Sequence, residues 1–430
     1  MPEPSLFTLD SDGYFRRGEQ RLVPVGVNYW PASCGVELWT AWPEAEIQHD
    51  LDVMARLGLN CIRFFLRWQD FEPEPGHYDE QRFARLDQML EWCGRRGILA
   101  HPSLFVGFMS GGIFWPHWRQ ERNLFSDPFM LERSEAFAKK AAARIHLHSQ
   151  SVLALDQGNE LSCLPDSPQA RPAQVRHWCE VINAAIRRVW PHALIVSGNE
   201  QGQFIGDRGW RFGQQPGTDF YSMHGYPVGA WHSLPFDGLT DPLAHSLLPF
   251  YTQVARAFGP VMVQEFGTIL TFGREQQDQY LRAVLPACWE AGGNGFLWWC
   301  LRDIPAKVHP YVKSGFEELL GLVDAEDRLK PGVEFFLEFA REVQSRAAPR
   351  PVPDAVGLYF PEHYYPRDDP GNPGNGPRAV SRGLVAANFL LRQLGRTTRI
   401  VRGDQPLPAD LRTLVIPGAI PTGDEAERLE

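Results

Sequence analysis

Short apolar runs alternate along the chain with longer stretches in which apolar residues recur every three or four positions. Runs typical of fully buried parallel strands begin near eight positions: Val23, Cys61, Ile98, Ser151, Leu194, Asp219, Pro260 and Gly295. Amphipathic helical patterns lie between most of these runs, at residues 44–58, 79–96, 128–148, 172–190, 241–258, 275–291 and 332–345. Between the fifth and sixth runs, residues 201–218 show no helical pattern and predict an irregular loop.

Eight strands that alternate with helices predict a (β/α)8 TIM barrel that closes near residue 346. A doubly wound open sheet is the alternative. It usually has fewer strands and a glycine-rich phosphate turn, and neither GxGxxG nor GxxxxGK[ST] occurs in this chain. Ahead of the first strand, residues 5–22 alternate apolar and polar positions around Asp12-Gly13 and Arg17-Gly18. They predict a hairpin that covers the bottom of the barrel.

A second unit follows the barrel. The sequence AAPRPVP at residues 347–353 predicts a linker, so the barrel with its hairpin occupies residues 1–346. Residues 354–430 show a strand, a helix that ends at Gly395 and two more strands, the start of a flavodoxin-like α/β domain. Because about three strands are fewer than such a sheet normally has, the domain is expected to be partial and completed by further chain or otherwise.

Composition narrows the function. Of 430 residues, 43% are hydrophobic and 22% are charged, which is typical of a globular protein, and the net charge of −10 argues against a nucleic-acid partner. Seven scattered cysteines without a CxxC pair predict reduced, mostly buried thiols. The first 20 residues carry no basic and apolar signal pattern, and no apolar run approaches 18 residues, so no membrane contact and a cytoplasmic location are expected.

Two strands run directly into glutamates: Glu160 ends residues 151–160, and Glu265 follows the apolar residues 261–263. A buried strand has no use for a carboxylate unless its end opens into a site. In barrels of this kind the site lies at the carboxyl ends of the strands, so the two glutamates are expected to meet there. Two carboxyls placed in this way are what glycoside hydrolysis requires.

Other polar and aromatic residues also fall at predicted strand ends: Asn28, Tyr29, Trp30, Arg63, Arg67, His101, Asn159, Asn199, Glu200, His224, Tyr226, Trp298, Trp299 and Arg302. No HxH or HExxH pattern is present, so neither a metal site nor a cofactor is expected. Glu200 repeats the Gly-Asn-Glu pattern of Glu160 one strand later. As the acid/base it would place the pair two strands apart, and it is instead assigned to a loop or subsite.

The ordered series Arg63, His101, Asn159-Glu160, His224-x-Tyr226, Glu265 and Trp298 resembles clan A of the retaining glycoside hydrolases. Family 5, with its cellulases, mannanases and β-mannosidases, is the most similar, over about residues 5–345. The resemblance implies that Glu160 is the acid/base and Glu265 the nucleophile. In a retaining enzyme the two carboxyls lie about 5–5.5 Å apart.

The resemblance also assigns roles around the two glutamates. Arg63 and Tyr226 would align Glu265 and keep it ionised, although Arg63 could instead form a structural ion pair. Asn159 would hold the sugar 2-hydroxyl, and His101 and His224 would bind hydroxyls or orient the glutamates. Trp298 would form the apolar floor beneath the sugar. Trp299 is expected to face the helices, because neighbours on a strand alternate faces.

Two aromatic loops are expected to wall the site. One spans residues 106–128 and the other residues 226–236, which include Trp231 and His232. Trp30, Trp115 and Trp118 are predicted to contact substrate, with self-packing of the first loop as the alternative. Two such walls favour a blind pocket and exo-action.

Asn28-Tyr29-Trp30-Pro31 and the first aromatic loop resemble β-mannosidase-like members of family 5, so a β-mannoside is the expected substrate, ahead of a β-glucoside or β-galactoside. The alternatives are an endo-acting β-mannanase or β-glucanase and a non-catalytic carbohydrate-binding barrel. The C-terminal unit resembles the trimerisation domain of family 42 β-galactosidases. That resemblance implies a homo-oligomer such as a trimer.

Overall fold

Three short antiparallel strands cap one end of the molecule. The structure is a computed structural model that describes residues 6–206, 211–213, 215–229, 234, 236, 238–268, 273–311, 315–350, 352, 354–364, 377–418, 426–427 and 429. The cap strands are β1 (Phe7–Leu9), β2 (Phe15–Arg17) and β3 (Gln20–Leu22). Phe15 packs edge-on against Phe220, in an apolar cluster that also contains Met262 and Leu297. The predicted hairpin is therefore a three-stranded cap on the bottom of the barrel.

Eight parallel strands form the barrel. They are β4 (Val25–Asn28), β5 (Cys61–Phe65), β6 (Leu99–Phe105), β9 (Leu155–Asn159), β10 (Ile195–Gly198), β11 (Tyr221–Gly225), β12 (Val261–Phe266) and β13 (Gly293–Trp298), with the hairpin β7 (Phe108–Met109) and β8 (Gly112–Ile113) inserted after β6. Neighbours pair in the order β10-β9-β6-β5-β4-β13-β12-β11. A parallel bridge between Glu200 and His224 joins β10 to β11 and closes the ring. The predicted barrel is confirmed.

Helices cover the outside of the barrel and form its second layer. They are α1 (Leu38–Ala41), α2 (Glu44–Leu57), α3 (Trp68–Phe71), α4 (Glu80–Arg95), α5 (Pro128–His146), α6 (Pro172–Val189), α7 (Gly202–Ile205), α8 (Pro242–Arg256), α9 (Arg274–Glu290) and α10 (Glu334–Val343). Asp79 and Asp127 each cap the first turn of a helix through two backbone N–H groups. The amphipathic periodicity placed the seven long helices within a few residues of these bounds.

Among the described residues between the fifth and sixth barrel strands there is no long helix, in agreement with the missing helical pattern. It contains only the four-residue α7, where a barrel helix would normally lie. The C-terminal unit fills this place. Phe204 of α7 stacks on Phe360, and the Tyr364 hydroxyl lies 2.9 and 2.7 Å from the carbonyl oxygens of Gln203 and Phe204.

The C-terminal unit is a small parallel α/β layer. Its strands β14 (Val356–Phe360), β15 (Thr398–Arg402) and β16 (Leu414–Val415) pair in the order β15-β14-β16, and helix α11 (Pro377–Gln393) packs on β14. The arrangement agrees with the start of a flavodoxin-like domain. Most of the Pro/Gly-rich loop after β14 and of the helical pattern that begins at residue 424 lies outside the described residues.

None of the seven cysteines, all of which the structure describes, forms a disulfide, and five of them are buried, as the sequence predicted. Among the described residues, no helix combines the length and the apolar character that crossing a membrane would require.

Candidate active site

Glu160 and Glu265 meet at the carboxyl ends of β9 and β12. A carboxylate oxygen of Glu160 lies within 4.8 Å of one of Glu265. Glu160 adopts a left-handed backbone conformation, with φ of 46°, directly after its strand. Because non-glycine residues rarely hold this conformation, the chain bears some strain to set the carboxyl there. The separation fits the roughly 5–5.5 Å of a retaining pair rather than the wider spacing of an inverting one.

Three side chains surround the Glu265 carboxyl. The Tyr226 hydroxyl donates to its Oε1 at 2.6 Å, Arg63 Nη1 donates to its Oε2 at 3.3 Å, and His224 Nδ1 lies 3.6 Å from Oε2. Burial raises the pKa of Glu265, and the charge of Glu160 adds to that effect. His224, Arg63 and Tyr226 act against it, as the sequence predicted for Arg63 and Tyr226, but burial outweighs them.

Arg63 is held completely inside the barrel. Its Nε and Nη2 donate to Asp156 Oδ2 at 3.1 and 2.7 Å, and further bonds reach Asn28 and Asn159. Both interpretations of Arg63 therefore hold, since it forms a buried ion pair and also contacts Glu265. Asn159 lies beside Glu160 and faces the cavity.

The two predicted histidines are both fully buried and outside the cavity lining, but only His224 contacts the glutamates. His224 Nδ1 is 2.8 Å from Glu160 Oε1, so this ring contacts the site directly. His101 is fully buried and outside the cavity lining, with its Nδ1 3.0 Å from the Ala154 carbonyl oxygen. Burial lowers the pKa of both rings, to about 4 for His101, so both are neutral near pH 7. His101 can orient neighbours but cannot bind a hydroxyl of substrate.

The expected orientation of Trp298 and Trp299 is wrong. Trp298 faces the helices, where it packs against Phe266 and Phe336 and donates to a backbone carbonyl. Trp299 lines the cavity. Neighbouring residues do alternate between the two faces of the strand, as expected. Leu297 faces the barrel interior, where it packs with the cap, so Trp298 faces the helices and Trp299 faces inward again. Trp299, rather than Trp298, is therefore the aromatic wall from the last strand.

The other three predicted tryptophan contacts are also wrong. Trp30 is buried against Phe65, and Trp118 packs edge-on against Trp68 with its Nε1 donating to a backbone carbonyl. Trp115 packs on the same Trp68 ring and beneath a guanidinium. None of the three lines the described cavity, because Trp30 packs on β5 and the loop tryptophans Trp115 and Trp118 pack on Trp68 of α3. Trp231 and His232 of the second loop lie outside the described residues.

The two glutamates open into a cavity of about 260 Å³. Its described lining is Phe108, Met109, Ser110, Asn159, Glu160, Cys163, Glu200, Gln201, Gly202, Tyr226, Glu265, Trp299, Phe316, Glu317 and Leu320. Glu200 lies on the wall, where it accepts from the Ser162 hydroxyl at 3.0 Å, in keeping with a subsite. Glu317 is a fourth carboxyl of the lining, and burial raises its pKa to about 7.

Sequence reasoning missed Glu317, Trp299, Asp156 and Gln264 as residues of the site. Asp156 and Gln264 are polar positions inside otherwise apolar strands, the same signal that singled out the two glutamates. Glu317 lies in a short 3-10 helix (Gly315–Leu319) beyond the last strand, and no pattern in the sequence marks it.

The hairpin β7–β8 crosses the mouth of the barrel to the loop after β13. Ser110 at its tip donates to Glu317 Oε1, and Trp299 Nε1 donates to Glu317 Oε2 at 2.8 Å. Beside this bond, the Phe114 ring packs edge-on against His309 at 5.9 Å between ring centroids. Glu317 thus joins two loops that start from different strands, and one side of the cavity is walled off.

Glu160, His224 and Glu265 are the described side chains that come close enough together to hold a metal ion. The buried guanidinium of Arg63 lies against Glu265, and Tyr226 donates to its other oxygen. A second positive charge is disfavoured there. The donor set suits proton transfer between carboxyls better than metal coordination.

A parallel barrel that carries two close glutamates on its fourth and seventh strands, one of them held by arginine and tyrosine, is the arrangement expected of clan A of the retaining glycoside hydrolases. The sequence model described as Cellulase (glycosyl hydrolase family 5) matches residues 26–303, more than half of the chain. The chain belongs to glycosyl hydrolase family 5.

Solved structures share this fold. The exo-β-1,4-mannosidase Op5Man5 from Opitutaceae bacterium strain TAV5 is 53% identical, with a TM-score of 0.94, over 98% of this chain and 77% of that chain. A GH5_18 protein from Streptomyces cattleya superimposes with a TM-score of 0.81 at 22% identity, over 93% of this chain and 99% of that one.

A curated relative, probable β-galactosidase A of Aspergillus phoenicis, is 30% identical over 109 residues. The match covers 24% of this chain and 11% of that protein, so the chain spans about a tenth of its length.

Proposed function

We propose that the protein is an exo-acting, retaining β-mannosidase that removes the terminal sugar from β-linked mannosides. The observation that carries the proposal is the bond from Ser110 to Glu317, which ties the hairpin β7–β8 across one side of the cavity. An endo-acting enzyme needs a cleft open at both ends, and this wall blocks one direction. The cavity, at about 260 Å³, is smaller than the roughly 300–1,000 Å³ of pockets for drug-sized ligands.

The arrangement of the glutamates supports a double displacement. Glu265 attacks the anomeric carbon as the bond to the glycosidic oxygen breaks, and Glu160 gives its proton to that oxygen. Water then attacks the same carbon, Glu160 takes the proton from the water, and Glu265 is released. Arg63 and Tyr226 position Glu265 through the two bonds to its oxygens. Asn159, beside the acid/base, is placed to bind a sugar hydroxyl.

The preference for mannose is supported by the 53% identity to an exo-β-1,4-mannosidase over nearly the whole chain. A β-galactosidase is the second candidate, favoured by the local similarity to the β-galactosidase of Aspergillus phoenicis. That similarity covers about a quarter of the chain, so it carries less weight. Glu160 and Glu265 are both present and close together, which argues against a barrel that only binds carbohydrate.

The test is hydrolysis of nitrophenyl β-glycosides of mannose, glucose, galactose, xylose and fucose, together with digestion of β-1,4-mannooligosaccharides. We expect turnover of the β-mannoside above the others and release of mannose alone from the early digest. Mixed oligosaccharides at early times would contradict exo-action, and a higher kcat/KM on the β-galactoside would favour the second candidate. The Glu265→Gln variant is the control for contaminating activity.

A further inference from the structure

A buried chain of three polar side chains leads from the barrel interior to the carboxyl of Glu160. His101 Nδ1 faces the Ala154 carbonyl oxygen at 3.0 Å, and His101 Nε2 faces Gln264 Nε2 at 2.7 Å. Gln264 Oε1 faces His224 Nε2 at 2.9 Å, and His224 Nδ1 faces Glu160 Oε1 at 2.8 Å. His101, Gln264 and His224 are fully buried, so water cannot satisfy them in another way.

The inner end of this series of hydrogen bonds determines which atom of each pair is the donor. A carbonyl oxygen only accepts, so His101 Nδ1 must carry the hydrogen. The ring is neutral, because it is buried and Arg63 lies near it, and Nε2 therefore presents a lone pair. Only the N–H of the Gln264 amide can satisfy that lone pair. The amide is thus held with its nitrogen toward His101 and its oxygen toward His224.

The orientation of the Gln264 amide in turn determines which nitrogen of His224 carries the hydrogen. The Gln264 oxygen accepts, so His224 Nε2 must be the donor. In the neutral ring Nδ1 then carries a lone pair, and this lone pair points at Glu160 Oε1. Two lone pairs at 2.8 Å repel each other. The contact is favourable only when Glu160 carries the proton and donates it to Nδ1.

We propose that Gln264 is a positioning residue which, together with His101, locks His224 in the Nε2–H tautomer and thereby makes Glu160 hold its proton. The proposal deepens the proposed function and rests on it, since it explains how the enzyme starts each cycle with a protonated acid. After the first step Glu160 is a carboxylate facing a lone pair. The locked ring therefore favours the return of a proton from the attacking water to Glu160.

The charged groups around His224 do not change the conclusion that its ring is neutral. The ionisable groups that lie near the ring are Glu160, Glu265, Arg63, Asp156, His101 and Glu200. Glu265 and Asp156 favour a positive ring, whereas burial and Arg63 disfavour it, and burial dominates. A positive His224 would donate from both nitrogens and would favour an ionised Glu160 instead, so the protonation of this ring decides between the two states.

The first experiment reads the tautomers in the unaltered protein and needs no activity; variants serve only to assign the resonances. Histidine ring nitrogens labelled with ¹⁵N are followed by NMR from pH 5 to pH 9, with His101→Gln and His224→Gln for assignment. We expect His224 to be protonated at Nε2 alone and His101 at Nδ1 alone. A cationic His224, or one protonated only at Nδ1, near pH 7 overturns the proposal whether or not mannosides are substrates.

The second experiment breaks the chain with Gln264→Met, which keeps the volume and removes both hydrogen bonds. His224 is then free to turn its N–H toward Glu160 and to stabilise the carboxylate. We expect the basic limb of the kcat/KM profile on a nitrophenyl β-mannoside to move down by about one pH unit or more, while the acid limb stays in place. With a dinitrophenyl leaving group, which needs little proton assistance, the effect should largely disappear.

Gln157→Met is the matched control. Gln157 is a fully buried glutamine of β9 that bonds to Asn183 and Cys179 on the helix side and does not line the cavity. An unchanged basic limb in a folded Gln264→Met variant, or an equal shift in Gln157→Met, overturns the proposal. If Gln264→Met does not fold, the tautomers of the unaltered enzyme still decide. If no glycoside is hydrolysed, the proposed function fails and the NMR result stands by itself.

Discussion

Tyr226 opposes the effect of burial on the pKa of Glu265, together with His224 and Arg63, and its hydroxyl makes the shortest of the three contacts with that carboxyl, at 2.6 Å. Burial raises the pKa of Glu265, and Glu265 must be ionised to attack, so activity falls as the pH drops through that raised value. Tyr226→Phe removes the bond that lowers the pKa. We expect the acid limb of kcat/KM to move to higher pH and the basic limb to stay where it is.

Tyr29→Phe is the matched control for this change, because the Tyr29 hydroxyl donates to Asp50 away from the cavity. pH profiles of both variants on one aryl β-glycoside make the comparison. An acid limb that moves to lower pH in Tyr226→Phe, or moves equally in Tyr29→Phe, would show that Tyr226 does not stabilise ionised Glu265.

The roles proposed for Glu265 as nucleophile and Glu160 as acid/base predict different products when azide is added. Replacing the nucleophile, as in Glu265→Ala, should reduce kcat by several orders of magnitude. Azide should then restore turnover with a glycosyl azide of inverted configuration. Glu160→Ala should lose about 10²- to 10⁴-fold on a poor leaving group and little on a dinitrophenyl one. Azide should there give a product of retained configuration, and NMR of the two azides makes the assignment.

The hairpin β7–β8 is the element that walls the cavity, and Ser110 is its link to Glu317. Ser110→Ala removes a bond to a carboxyl, an interaction that contributes about 0.5–1.5 kcal/mol when the carboxyl is neutral and about 1.5–3 kcal/mol when it is ionised. We expect KM for an aryl β-mannoside to rise by roughly tenfold, with a smaller change in kcat. Ser126→Ala, at an exposed serine of the same loop, is the control. Equal kinetics for Ser110→Ala and the unaltered enzyme would remove this hairpin from substrate binding.

Glu317 also makes the stability of the protein depend on pH. Burial raises its pKa to about 7 from an ordinary value near 4.5, so the folded state keeps its proton where the unfolded chain has lost it. The stabilisation is complete below pH 4.5 and is lost as the pH rises through 7, at a cost of about 3 kcal/mol. Glu317→Gln should therefore show a smaller fall in melting temperature between pH 5 and pH 8. A steeper fall than in the unaltered protein would refute this.

In the molecule as a whole, the C-terminal unit packs against α7, where the described residues contain no long barrel helix, and thereby supports the wall of the site. Tyr364 holds α7 by its hydroxyl, and α7 begins at Gly202, which lines the cavity. Tyr364→Phe should lower the free energy of unfolding by about 1–2 kcal/mol. Urea unfolding measures this change in the free energy of unfolding. The Tyr29→Phe variant, which alters another buried tyrosine, serves for comparison. A loss confined to the C-terminal unit, with the barrel unchanged, would show that the two parts are independent.

The cytoplasmic location and the homo-oligomer implied by the resemblance to a trimerisation domain stay predictions. Cell fractionation and light scattering of the purified chain test them.

Much of the site was predictable because strand ends in a parallel barrel converge on one face. Glu160 and Glu265 could be singled out since a carboxylate after a buried apolar run needs a reason, and Arg63, Asn159, His224 and Tyr226 followed by order along the chain. The tryptophans were predicted less well. An aromatic residue in a loop fits both a pocket wall and a packed loop, and sequence spacing does not distinguish the two.

The spacing of residues along the chain is enough to predict the alternation of eight strands and their helices, the lack of a helical pattern after the fifth strand, and the strands that carry the glutamates. These are local properties, set by the spacing of apolar side chains and by the turn at each strand end. Three features emerge only when the chain is folded: Trp299 faces the cavity, Glu317 joins two loops, and Gln264 connects two histidines. These features depend on which face of a strand points inward and on contacts between segments far apart in the sequence. A local sequence pattern contains neither kind of information.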